Sequence, residues 1–212
     1  EERPDGIGFV QKVWDTIDKT VLSYTPQNSQ RNKVSGGLFL YPRQSFLLQQ
    51  MIQALLKDHP YPNFNVCETG FGAGHSSSFF LSQNENIKIV TFDKFDRNYQ
   101  LPILNILRDS FQERIIHVMG NSCLTLSSFF QENTSHRCDL LHGSSLCPKD
   151  NIDLAYNAPC GTILTSTAMS SIDDKDVYFG PNAQWRKLRS QNCISDITCF
   201  TEDKRVLKES FR

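Results

Sequence analysis

Four positions in the stretch ETGFGAGHS alternate in a way that backbone chemistry can use: Glu68, Gly70, Gly72 and Gly74. Glycine at this density lets a chain bend sharply or bring its backbone close to a bound molecule. The stretch follows an apolar run and opens a helical one, and helix N-termini attract anionic or acceptor groups. A dinucleotide loop spaces its glycines G-x-G-x-x-G, and a triphosphate loop ends in Gly-Lys-Ser/Thr. Here the glycines stand on alternate positions behind an acid and no lysine is present, so phosphate is the weaker ligand. A tight turn without a ligand is the alternative. Further along, His142 ends a strand-like run and Ser144 follows it. An unperturbed imidazole titrates near neutral pH, which makes His142 the best general-base candidate. Ser145, Ser166 and Thr167 occupy comparable strand-end positions, while His75 reads as a packing or capping residue.

The elements that would position these residues alternate along the chain. Val10, Val13, Trp14, Ile17 and Val21 recur at helical spacing, and Leu48, Met51, Ile52 and Leu55 form a second apolar face with Ser45 as its N-cap. From residue 61 on, strand-like runs (64–68, 87–92, 114–120, 138–142, 161–166) alternate with helical ones (79–81, 102–111, 124–130, 152–156). That pattern predicts a doubly wound, mostly parallel α/β sheet with helices on both faces. CISDITCF and RVL, separated by TEDK, predict a closing antiparallel hairpin, for seven strands in all. The reading is one domain overall, with N-terminal helices and a lid-like loop over 1–60 and the α/β core over 61–212. Ligands in such sheets bind beyond the carboxyl ends of the strands.

The E-x-G-x-G-x-G pattern resembles motif I of the class I S-adenosylmethionine-dependent methyltransferases. The likeness extends to Asp93, 19 residues after Gly74 at the end of the second strand, to VMGNSCLTL, and to the fourth and fifth strands, CDLLH and PCGTILTS. YFGPNAQWRKLRSQNCISDITCF resembles the helix and hairpin that close the small-molecule branch. The resemblance implies S-adenosylmethionine as cofactor. Gly70, Gly72 and Gly74 would pass beneath its amino-acid and ribose portions, and Glu68 would anchor the loop or reach the ammonium through water. Asp93 would accept from the ribose diol, with Asn121 and Ser122 near the adenine.

Metal-assisted O-methyltransferases of this fold carry an Asp after the fourth strand and an Asp-Asp or Asp-Asn pair after the fifth. Here Ser144 falls at the first place and TSTAMSS at the second, with Asp173 and Asp174 several residues later, so no metal site is expected. Three functions stay open: metal-independent methyl transfer to a small molecule, a methyltransferase-fold protein that only binds a ligand or partner, and different chemistry on the same scaffold. A net charge of −1 argues against a general nucleic-acid or membrane-surface role, and oligomeric state is not readable. Seven cysteines without zinc-like spacing are expected to be mainly reduced, structural thiols. The start at Glu1 implies an upstream segment, and Asn133-Thr-Ser is a glycosylation sequon that matters only in the secretory pathway. A cytoplasmic location is slightly favoured over the secretory lumen.

Overall fold

The computed structural model describes residues 6–24, 42–143 and 163–166. Two helices come first, α1 (Gly6–Tyr24) and α2 (Pro42–Lys57). An alternating run follows: β1 (Phe64–Thr69), α3 (His75–Gln83), β2 (Ile87–Asp93), α4 (Gln100–Phe111), β3 (Ile115–Met119), α5 (Ser122–Glu132), β4 (Leu140–Gly143) and β5 (Ile163–Ser166). The predicted helices and strands in these ranges all form. Ser45 is a correction: α2 begins at Pro42. Proline has no amide hydrogen and a fixed φ, so it suits the first helical turn, where that hydrogen would find no partner. The expected helix over 152–156 and the closing hairpin lie outside the described residues.

The five described strands lie in the order β3-β2-β1-β4-β5, and every neighbouring pair is parallel. Because β1 sits in the middle, the chain leaves it on one side and returns on the other. The order therefore reverses between β1 and β4, and in open α/β sheets ligands bind beyond the strand ends near such a reversal.

Alternation along each strand sends side chains to two distinct cores. On one face Phe64 and Val66 of β1, Ile87 and Ile89 of β2 and Leu140 of β4 meet helices α1 to α4. Ile17 of α1, Ile52 of α2 and Leu104 of α4 are wholly buried there. The opposite face holds Cys67, Val90, Phe92 and Leu141 under Leu126 and Phe130 of α5. Arg114, after α4, donates to the carbonyls of Leu81, Asn84 and Ile87, which ties the α3–β2 turn to the α4–β3 turn.

The expectation of reduced thiols fails at one pair. Cys67 and Cys138 are joined by a disulfide, with Cα atoms 5.7 Å apart and a sequence separation of 71. Their pairing depends on β4 lying beside β1, a consequence of strand order that spacing in the chain does not reveal. Closing so long a loop restricts the unfolded chain, so reduction, or the Cys67→Ser/Cys138→Ser pair, is expected to cost about 2–4 kcal/mol. In a thermal melt this appears as a Tm lowered by roughly 5–15 °C. An unchanged Tm under reductant would show that the bridge adds nothing.

Candidate functional site

The glycine stretch forms the connection from β1 to α3. Gly70, Gly72 and Gly74 all take positive φ, at 85°, 56° and 76°, a region that side-chain-bearing residues rarely enter. Their roles then diverge. A Cβ on Gly74 would lie 2.9 Å from the Phe71 ring and 3.1 Å from Ile103 and Leu107, so this glycine serves close packing of the loop on α4. Gly70 and Gly72 are half-exposed along the upper edge of the loop. The Gly70 amide donates to the Phe92 carbonyl at 2.8 Å, which holds the loop beside β2.

Glu68 is completely buried at the end of β1. Its two carboxyl oxygens accept from the hydroxyls of Ser76 and Ser77 in the first turn of α3. Thr91, its partner across β1–β2, lies on the same face. Burial pushes the Glu68 carboxyl up to about 7; the Ser76, Ser77 and Thr91 hydroxyls pull it down and the Asp93 charge adds to the rise. These contacts tie the end of β1 to the first turn of α3.

On its other side Glu68 pairs in register with His142 of β4. That imidazole is 1% exposed and packs edge-on against Phe80 of α3, with ring centroids 5.1 Å apart. Burial holds it down at about 4, so it is neutral at physiological pH. His142 thus stands beneath α3 with Glu68 instead of at an open strand end. Ser144 and Ser145, expected beside it, lie outside the described residues, as does Thr167.

Asp93 ends β2 half-exposed. One carboxylate oxygen accepts from the Gly72 amide at 3.1 Å and the other from the Phe95 amide at 3.2 Å. A carboxylate offers about four acceptor sites, so room remains for a diol. Phe95 sits at a positive φ of 52° and its ring stacks on Phe71 at 5.2 Å, a second lock between the β2 end and the glycine loop. The third strand end contributes Gly120, whose amide donates to the Asp93 carbonyl at 2.9 Å. Asn121 follows, exposed, and its carbonyl accepts from the amides of Leu124 and Thr125 to start α5; Ser122 is buried.

Three strand ends therefore meet in one accessible row: Gly70 and Gly72, Asp93, then Gly120 and Asn121. Glu68, Gly74, Ser122 and His142 lie beneath it. The arrangement offers backbone edges and one carboxylate acceptor, a set that could receive hydroxyl donors of a polar ligand. His75 is the packing residue expected of it: buried, its Nε2 is 2.9 Å from Asp18 of α1, while Trp14 of α1 donates to Ser78 at 2.8 Å.

Sequence reasoning missed Ser76, Ser77, Phe71 and Phe95. The serine run after the last glycine was the available signal for the first two, since a buried acid requires donors nearby. No comparable signal marks the stacked phenylalanines.

Solved structures share this architecture. An O-methyltransferase from Bacillus cereus, in complex with SAH, superimposes with a TM-score of 0.56 at 13% identity, over 89% of this chain and 79% of the other. Cofactor-bound Rv0187 from MTB gives 0.55 at 14%, over 90% and 87%. CalS11, a TDP-rhamnose 3′-O-methyltransferase of calicheamicin biosynthesis, gives 0.54 at 17%, over 92% and 90%. The chain has the class I methyltransferase fold. No family model and no curated protein matches it. Within this methyltransferase fold, the glycine loop, Asp93 and Asn121 fall on adjacent strand ends at one rim of the sheet.

The Glu68 environment makes a pH prediction. Folding raises this carboxyl from 4.5 to about 7, so its contribution to stability is full below pH 4.5 and is lost as pH rises through 7. Glu68→Gln cannot ionise. Its stability relative to the native chain should therefore improve by on the order of 3 kcal/mol between about pH 4 and pH 8, measured by denaturant titration. A difference independent of pH would mean that Glu68 titrates normally.

Proposed function

We propose that this chain binds S-adenosylmethionine along the row from Gly70 to Asn121 and transfers its methyl group to a small molecule without a metal ion. The observation that carries the reading is the Asp93 carboxylate: it is bonded to the Gly72 amide and half-exposed at the end of β2. Gly70 and Gly72 would accommodate the amino-acid portion, Asp93 would accept from the ribose hydroxyls, and Asn121 would face the adenine, with Ser122 supporting it from below. Bound there, the cofactor supplies a sulfonium-activated methyl group, and the chain's task is to hold an acceptor in line with it.

His142 belongs to the support of the glycine loop in this reading. An imidazole that exchanges a proton with substrate must come within hydrogen-bond reach of it, and this ring is enclosed between the sheet and Phe80. The same burial favours a second reading, in which the chain binds the cofactor or a related nucleoside and passes no methyl group on.

Both readings require binding. At about 100 times its dissociation constant, S-adenosylhomocysteine should stabilise the chain by about 2.7 kcal/mol, a Tm rise of roughly 5–10 °C. Asp93→Ala should weaken binding about tenfold or more in calorimetry, by loss of charge-assisted hydrogen bonds. No Tm change at millimolar ligand would refute the site, and unchanged affinity in Asp93→Ala would refute the ribose assignment. His142→Ala separates support from catalysis: a support role predicts a lower Tm with an unaltered pH profile of any methyl transfer, whereas a base predicts loss of one limb of that profile.

A further inference from the structure

Three side chains converge on the sheet face covered by α5: Cys67 on β1, Cys138 just before β4, and His136 two residues earlier. They offer ligand atoms within 4.8 Å of one another. Reduced, such a set resembles part of a zinc site. A structural zinc site needs four ligands with both sulfurs as thiolates. Here the two sulfurs are bonded to each other, and the described residues supply no fourth ligand in the cluster. Both cysteines are wholly buried, and His136 closes over them with its Nε2 3.9 Å from Cys67 Sγ and its ring against Phe129 and Phe130. The arrangement is that of a structural bridge, and such bridges form and persist in oxidising compartments.

A second, independent feature lies five residues upstream of Cys138. Asn133-Thr134-Ser135 is the chain's one Asn-x-Ser/Thr sequence. All three residues are exposed, in the turn that ends α5. Asn133 Nδ2 donates to the Phe129 carbonyl at 2.9 Å. An amide nitrogen carries two hydrogens, so substitution by a sugar leaves one for this bond. The helix α5 starts at the rim that carries Asn121 and runs back along the sheet, which puts Asn133 at the rim opposite the glycine loop.

We propose that Asn133 is an N-glycosylation site and that the domain matures in an oxidising secretory compartment. Bridge formation there transfers two electrons and two protons from the Cys67 and Cys138 thiols to a protein disulfide, which becomes a dithiol. Glycan attachment forms a bond from Asn133 Nδ2 to the anomeric carbon of a lipid-diphosphate-linked oligosaccharide. The anomeric C–O bond breaks with its electron pair passing to the diphosphate, and the amide nitrogen releases one proton. The glycan then projects from the rim away from the cofactor row, and neither modification obstructs it.

The test uses full-length protein captured by antibody from its own cells, divided between two measurements. Treatment with an amidase specific for asparagine-linked glycans should lower the apparent mass in one step, and a tagged Asn133→Gln chain expressed in the same cells should lack that step. Maleimide labelling after denaturation should leave Cys67 and Cys138 unmodified until reductant is added, as read by peptide mass spectrometry. A mass unchanged by the amidase, or a step that survives Asn133→Gln, overturns the site. Labelling of both cysteines without reductant overturns the compartment, and zinc release on labelling would assign the cluster to a metal instead.

Discussion

One buried carboxyl organises the loop on which the candidate site depends. Glu68 stands at the end of the central strand without access to water, and an ionised group in that position is costly. Its partners are the Ser76 and Ser77 hydroxyls at the start of α3, where the helix dipole also favours negative charge. Satisfying the acid thus requires the first turn of α3 to sit directly over the end of β1. The chain between them, residues 70–74, must then reverse within a few residues, and three positive-φ glycines allow it. Gly74 adds a steric condition, since any side chain there would strike Phe71.

His142 completes this arrangement in an unexpected way. Burial drives the carboxyl up and the imidazole down, so between about pH 4.5 and 6.5 the folded pair holds its proton on Glu68 while the unfolded pair holds it on histidine. Folding moves one proton between them without net uptake. Their pH dependences oppose each other over that window, and the native domain can bury two ionisable groups side by side with little sensitivity to mild acid. The α1 contacts, Asp18 to His75 and Trp14 to Ser78, reinforce the same helix from its outer side.

Much of this was legible in the residues. The helical periodicity of Val10, Val13, Ile17 and Val21, and the alternation of apolar runs with helical segments, follow from local rules that need no neighbours. The glycine spacing and Asp93 likewise marked residues that stand together at one rim of the sheet. Legibility ended where a role depends on what lies across the sheet. Nothing local to His142 distinguishes an exposed strand end from a site beneath α3 and Phe80. Cys67 and Cys138 carry no mutual signal over 71 residues; only the adjacency of β1 and β4 makes them partners.

By itself, the sequence determined the described elements, their order and the glycine turn after β1, because periodicity, turn chemistry and glycine geometry act over a few residues. The tertiary structure decided which of those residues face solvent and which support them. It left Gly70, Gly72, Asp93 and Asn121 accessible and turned Glu68, Gly74 and His142 inward. Burial and charge are properties of the assembled neighbourhood, set by strand order and by the helix that happens to lie above.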